Sequence, residues 1–263
     1  MHEEVSVVIH PTAIIDPSAK IADHVEIGPW TLIGPEVEIG EGTWIGPHVV
    51  IKGLTKIGKE NKIFQFASLG EDPQDKKFQG EKTYLEIGDR NIIREFCTFN
   101  RGTVQDKSVT RIGNDNLFMA YVHLAHDCIV GNHTIFANNA SLAGHVIVED
   151  FVVMSGFSGA SQSCRVGAHS FASMGSMIDK DVPPFVKVSG YYAKPFGLNV
   201  VGMRRRGFSA ETMLSLRRAY KVIYRQGLTI KQAIESLEEM LVTCPEVQLF
   251  IDFINSSERG LVR

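Results

Sequence analysis

The chain has 263 residues, with 27 Lys+Arg against 30 Asp+Glu and a net charge of −3 with its His neutral. That balance argues against a general nucleic-acid binder and leaves room only for a local basic patch. No uncharged apolar run approaches the ~18 residues of a membrane span, and the start MHEEVSVVIH is acidic where a leader would be basic, so no transmembrane segment and a cytoplasmic location are expected. Four Cys without a CxxC spacing argue against both a disulfide framework and a zinc ribbon.

From Ile9 an aliphatic residue recurs every six positions, through Ile15, Ile21 and Ile27, without a miss to Leu69. After a break the series resumes at Ile87, Ile93 and Phe99; after a second it runs from Ile112 through Phe118, Leu124 and Val130 to Ile178, twenty-six hexads in all. In the first eight the fourth residue after each anchor is small or β-branched, from Ala13, Ala19 and Val25 to Thr55, and ten anchors are followed by Gly, as in Ile27-Gly28. Neither a helix period nor simple strand alternation produces this pattern. A short strand with two inward residues, then a turn, does. Three such strands make one coil of a triangular prism, so residues 18 apart stack about 4.8 Å apart as parallel neighbours. The expected fold is mainly β: a parallel β-helix of hexapeptide repeats over residues 1–190, with the Gly that follows ten of the anchors serving the corners.

Cys97, Cys128 and Cys164 fall in the small inward slot. Two coils, about 9.6 Å, separate Cys128 from Cys164, so they read as core fillers beyond disulfide reach. The two breaks, 70–86 (GEDPQDKKFQGEKTYLE) and 100–111 (NRGTVQDKSVTR), read as loops thrown out of the prism, where binding residues usually sit.

Past Ile178 the period stops at Asp181-Val182-Pro183-Pro184, and residues 191–263 are predicted to form a small α-helical C-terminal domain. Ser209 N-caps a helix through Arg225, closed by Gly227. Thr229 and Gln232 make a capping box for a second, to about Val242, and Pro245 starts a third that ends near Ser257. Met213, Leu216, Ala219, Val222 and Ile223 give the first helix one apolar stripe.

Four histidines gather in the second half of the prism: His123, His126, His133 and His145. The 18-residue count puts His126, Gly144 and Gln162 in one outward column, and Asp127, His145 and Ser163 in the next. A His one strand from a Gly N–H and beside a carboxylate is what acyl transfer requires, a base near neutrality and a donor for the developing oxyanion. Exposed turn histidines are a second reading. Zinc held by His123, His126 and His145 is a third; the separate columns of His126 and His145 weigh against it, and no metal or cofactor is expected.

The coil pattern and the strings HLAHDCIVGN, NNASLAGHV, PFGLNVVGMRRRGFS and AYKVIYRQG resemble the bacterial acyl-carrier-protein–UDP-N-acetylglucosamine acyltransferases, which open lipid A synthesis. The likeness runs essentially from Ile9 to Arg263. It implies a left-handed prism, which the period alone does not fix, and transfer of a 3-hydroxyacyl group from acyl-carrier protein to the 3-hydroxyl of UDP-N-acetylglucosamine. Residue by residue, it implies His126 as general base, Asp127 as its support and Gly144 as the N–H facing the oxyanion. Asp75, Lys77, His123 and His145 match sugar and acyl contacts, with Gln162 in the same substrate-binding set; Asn199, Arg205 and Arg206 match the uridine diphosphate end, where the guanidinium fork suits phosphate. The family implies a homotrimer with sites in the grooves between subunits.

The chain departs from the family at Asn100 and Ser161, where His is common, and at Val201, where an acidic residue is. Met174 falls where Gly goes with long acyl chains and Met with shorter ones, which predicts a preference for chains of roughly ten carbons, because overpacking a channel is costly. Met174 lies on a different prism face from His126, so it reaches the same groove only from a neighbouring chain. The alternatives are an N-acyltransferase acting on a 3-amino sugar nucleotide, or a non-catalytic or zinc-dependent prism. The lack of an extra N-terminal domain weighs against the later N-acyltransferase of the same pathway.

Overall fold

The computed structural model describes residues 7–263, and the acidic stretch 1–6 lies outside them. Twenty-six short strands, from Val8–Ile9 to Met177–Ile178, each carry one anchor of the six-residue series. Ile9 pairs in parallel with Ile27, and Ile27 with Ile45. That step of 18 residues generates three flat walls. The first wall begins with Ile9 and Ile27, the second with Ile15 and Ile33, the third with Ile21 and Ile39. From Ile27 on, the anchors point inward and are buried, and burying an aliphatic side chain from water is the main force available to strands only two residues long. In the middle of the prism Phe118 meets Phe99 edge-on and stacks on Phe136, at centroid spacings of 5.0 and 5.1 Å.

The corners differ from expectation. The residue that turns the chain lies three after the anchor, adopts a left-handed φ, and is mostly not glycine. Trp30, His48 and Phe66 hold the first corner, between walls one and two; Asp127, His145 and Ser163 the second; His133, Phe151 and His169 the third, with φ between 54° and 65°. This conformation costs about 1–2 kcal/mol for a residue with a Cβ, and the neighbouring coils hold it in place: His48 N–H donates to the Pro29 carbonyl and His145 N–H to that of His126, both at 3.0 Å. The Gly after the anchor has another purpose. A Cβ at Gly40 would lie 2.5 Å from the carbonyl carbon of Gly58, so glycine there lets successive coils approach.

Both predicted loops leave the prism at the second corner, and both are narrower than the breaks in the period. Strands Tyr84–Ile87 and Val109–Ile112 are lengthened to four residues by the pairs Tyr84–Val109 and Leu85–Thr110. Only 72–83 and 101–108 remain outside strands.

The C-terminal part opens with a strand rather than a helix: Lys194–Leu198 runs antiparallel to Val186–Ser189 on the first wall. Helix α1 (Val200–Arg205) is short, capped by the Asn199 side chain, and lies where the sequence predicted no helix. Helix α2 (Ala210–Arg225) starts where Ser209 accepts from Thr212 N–H at 3.0 Å. Its stripe faces inward, with Leu216, Ala219 and Val222 buried. Helix α3 (Ile230–Glu238) has the Thr229–Gln232 capping box but stops short of Val242, because the chain tightens into turns such as Met240 N–H to Leu237 carbonyl. Pro245–Val247 is a 3₁₀ turn, and α4 follows at Gln248–Asn255. Cys97, Cys128 and Cys164 are free and buried. Burial pushes the Cys97 and Cys128 thiols up to about 12, as befits core fillers. No helix among the described residues is long and apolar enough to cross a membrane.

Candidate active site

His126 and Asp127 sit on the second corner, directly above the 101–108 loop. Nδ1 of His126 lies 2.9 Å from Oδ2 of Asp127. The Asp127 side chain is fully buried, while 14% of the His126 side chain is exposed. Asp tolerates the left-handed conformation that the corner demands, and its own N–H is fixed on Thr110 Oγ1 at 2.8 Å. Burial alone would raise the Asp127 carboxyl; hydrogen bonds from His126 and Thr103 outweigh it and hold the group below the ordinary carboxylate range. An ionised Asp127 accepts the Nδ1 proton, which leaves the lone pair of His126 on Nε2, on the side away from the carboxylate.

One coil on, Gly144 makes room for that ring. A Cβ there would lie 2.6 Å from Cε1 and 2.8 Å from Nε2 of His126, so any side chain at 144 would displace the imidazole. The Gly144 amide donates to no acceptor among the described residues. His145 meets the His126 ring edge-on at 5.0 Å, with its Nδ1 3.0 Å from Asp106 Oδ2 and 3.9 Å from Asp127 Oδ2. The sequence reading set these two histidines apart because their columns differ. The structure brings them together instead: His126, Asp127 and His145 offer atoms within 4.8 Å of one another. Within the cluster, Asp127 also accepts from Thr103, and the Nδ1 atoms of His126 and His145 lie within hydrogen-bond reach of Asp127 and Asp106.

His123 stands on the second wall, its Nδ1 2.8 Å from Thr98 Oγ1, and burial pushes its pKa down. A groove of about 390 Å³ runs along this wall beside the corner. Its floor is small, with Ala125, Ser141, Gly159 and Ser161, and Tyr191 and Tyr192 form a flank. Gln162 is exposed at the edge of the next coil. Asp75 and Lys77 lie in the 72–83 loop at the same corner, where Asp75 Oδ1 accepts from Lys77 N–H at 3.0 Å. Asn100 ties that loop down, donating to the Asp72 carbonyl at 2.9 Å, and Arg101 pairs with Asp72.

Four residues of the set are elsewhere. Met174 lies on the first corner and is 73% exposed. Asn199 and Arg206 pack at the third corner. Asn199 uses its side chain to cap Gly202 N–H and to donate to the His169 carbonyl. Arg206 donates to the Phe151 carbonyl at 2.8 Å and lies over the Phe151 ring, with its Nη1 unpartnered. Arg205 and Val201 are exposed on α1. A single chain therefore carries its predicted site residues on three different edges.

The comparisons decide the family. The acyl-[acyl-carrier-protein]–UDP-N-acetylglucosamine O-acyltransferase of Thiobacillus denitrificans is 62% identical over 97% of this chain and 99% of its own. The chain belongs to that acyltransferase family. The solved LpxA structure from Acinetobacter baumannii superposes with a TM-score of 0.96 at 54% identity, covering 97% of this chain and 100% of that one. The UDP-N-acetylglucosamine O-acyltransferase of Moraxella catarrhalis gives 0.95 at 51%, covering 97% and 99%. Two family models match within the chain. "Bacterial transferase hexapeptide (six repeats)" matches residues 110–144, and "Udp N-acetylglucosamine O-acyltransferase; Domain 2" matches 181–262. The first of these spans His123, His126, Asp127 and Gly144; the second spans α1 and its arginines.

Sequence reasoning missed Thr98, Thr103, Asp106 and Thr110. Each is a partner of a residue that it found. The one available signal was the break in the period at 100–111, which marked the loop without saying what it touches.

Proposed function

We propose that this acyltransferase moves a 3-hydroxyacyl group from acyl-carrier protein to the 3-hydroxyl of UDP-N-acetylglucosamine, the first step of lipid A synthesis, with His126 as general base. The observation that carries the assignment of the base is the pairing of His126 Nδ1 with the buried Asp127, which commits the free lone pair to Nε2. Nε2 takes the proton of the sugar hydroxyl as its oxygen bonds to the thioester carbonyl carbon. The carbonyl π electrons move to oxygen, and the amide of Gly144, which has no acceptor among the described residues, donates to that oxyanion. Collapse restores the carbonyl, breaks the C–S bond and expels the carrier thiolate, which takes the proton back from His126. Asp127 stays ionised throughout and stabilises the transient imidazolium. No metal or cofactor enters these steps.

The small-floored groove beside His123 suits an acyl chain, and Asp75, Lys77, His145 and Gln162 flank the same corner for the sugar. Met174, Asn199, Arg205 and Arg206 complete the site only if another copy brings its first and third corners to this one. Prisms packed side by side as a homotrimer do so by symmetry. Arg205, exposed on α1, is the donor left for a diphosphate, while Arg206 is held on the Phe151 carbonyl beside it. Four free cysteines accord with action in the reducing cytoplasm.

The test is acyl transfer from 3-hydroxyacyl-carrier proteins of graded length to UDP-N-acetylglucosamine, with His126→Ala and Met174→Gly beside the wild type. Transfer should peak near ten carbons, fall at least about a hundredfold in His126→Ala, and extend to longer chains in Met174→Gly. Transfer only to a 3-amino sugar nucleotide would replace the acceptor. Full turnover by His126→Ala would remove the mechanism.

A further inference from the structure

The 101–108 loop touches the catalytic corner with two of its side chains, Thr103 and Asp106. Thr103 is buried and gives both of its donors to one carboxylate: its N–H lies 2.9 and 3.1 Å from Oδ1 and Oδ2 of Asp127, and its Oγ1 is 2.6 Å from Oδ2. Oδ2 is the same oxygen that accepts from His126 Nδ1. Two residues of the loop beyond Thr103 close on themselves, with Asp106 N–H and Ser108 N–H both donating to the Thr103 carbonyl. This turn carries Asp106 across to His145, at 3.0 Å from its Nδ1.

We infer that this loop is part of the catalytic apparatus, with Thr103 and Asp106 as positioning residues for the His126–Asp127 pair. The inference rests on the reading of His126 as the base and goes beyond it. Thr103 acts on the carboxylate. Its hydroxyl and amide hold Asp127 in the one rotation that faces His126, and they draw off part of the negative charge that would otherwise favour the imidazolium over the neutral ring. Asp106 acts on the competitor. Nδ1 of His145 stands 3.9 Å from Asp127 Oδ2, close enough for a modest ring rotation to divert the carboxylate from His126. Asp106 accepts that Nδ1 proton instead. The titratable groups that face Asp127 are thus His126 and His145 on the prism corner, with Asp106 of the loop acting through His145. The prism supplies base and glycine; the loop keeps the base aimed and unchallenged.

The distinguishing measurement is kcat and KM against pH for Thr103→Val, Thr103→Ser and Asp106→Ala, with His126→Ala as reference. A hydrogen bond to a charged group predicts a fall in kcat of about ten- to a hundredfold in Thr103→Val, with KM for the sugar nucleotide within about threefold of wild type. The acid limb of kcat/KM should move to higher pH in Thr103→Val, because the uncapped carboxylate holds a proton on its histidine more strongly. Thr103→Ser keeps the hydroxyl and should restore both rate and limb. Asp106→Ala, at an exposed position that cannot disturb the core, should lower kcat by a smaller factor. Wild-type kcat and pH profile in both Thr103→Val and Asp106→Ala would overturn the inference, as would a loss in Thr103→Val that serine fails to restore. Full activity in His126→Ala would instead bring down the reading beneath it, so the two failures are distinguishable.

Discussion

The same left-handed residue recurs at all three corners of the prism, yet the side chains placed there divide the molecule in two. On the first corner Trp30, His48, Phe66, Phe96 and Tyr121 form a continuous stack with centroid spacings of 4.8 to 5.3 Å. On the third, His133, Phe151, His169 and Phe185 do the same, and Phe208 closes over them edge-on at 5.2 Å from His169. On the second corner the rings give way to Asp127, His145 and Ser163, and both loops emerge there. The backbone strain is equal at the three corners, since the φ values are alike. Over their stacked coils two corners offset it with ring-on-ring contact, which fixes each of those coils on the next. The second offsets it with directed hydrogen bonds, which leave polar groups facing outward. An edge bonded in that way can carry chemistry, and an edge sealed by rings cannot.

Gly144→Ala bears hardest on this contrast. The corner backbone accepts alanine, because Gly144 has no left-handed φ, so stability should change by less than about 1 kcal/mol. The imidazole of His126 must move, because the new Cβ would fall 2.6 Å from its Cε1. We expect kcat to fall at least about a hundredfold, near 3 kcal/mol in the barrier, while the melting temperature stays close to that of the wild type. Near-normal kcat in this variant would mean that the second corner is not where the base works.

His169→Phe tests the other kind of corner. Burial first, and the nearby Arg206 charge second, push the His169 imidazole down to about 4 from an ordinary 6.5. The folded protein therefore binds fewer protons at His169 than the unfolded chain does between those values, and stability is lost as pH falls from 6.5 to 4. Allowing for partial solvent screening, the loss amounts to roughly 2 kcal/mol. Phenylalanine keeps the stack on Phe151 and Phe185, deletes a ring nitrogen that has no partner, and carries no proton. Urea midpoints at pH 7.5 and 4.5 should drop less for the variant than for the wild type. Parallel drops would show that His169 is solvated rather than sealed.

The prism was legible in the sequence because one inward slot repeats every six residues, and a repeat of burial needs no side-chain geometry to be read. Stacking by 18 likewise placed His126 beside Gly144 and Asp127 beside His145. The corner chemistry was not legible: tryptophan and phenylalanine with left-handed φ contradict local preference, and only the coils above and below hold them there. Thr103 and Asp106 lie 24 and 39 positions from their partners and reach them across an irregular loop, so no period connects them. Helix α1 escaped because six residues containing a glycine carry little helical signal, and its cap is also the residue that resemblance assigns to substrate. Resemblance named Asn199, Arg205 and Arg206; it could not show that two of the three already hold the third corner together.

The smallest expected effect tests why rings occupy the ladder at all. Trp30 is 61% exposed and stacks on His48 at 5.0 Å, on an edge that carries none of the catalytic pair. Trp30→Ala removes the stack but keeps a Cβ in the left-handed conformation, so it should cost about 1 kcal/mol. Trp30→Gly loses the same contact but sheds the conformational penalty, and should be more stable than the alanine variant by up to about 1 kcal/mol. That order reverses the usual ranking of alanine above glycine within regular structure. Gly175 already takes this position on the same corner with a φ of 70°, and Gly42 its equivalent on the third with 68°, so the backbone accommodates the change. Chemical denaturation of the two variants decides it, with kcat per folded site expected to match the wild type in both. Alanine equal to or above glycine would mean that the corner is not strained, and that the aromatic ladder serves some purpose other than offsetting the turn.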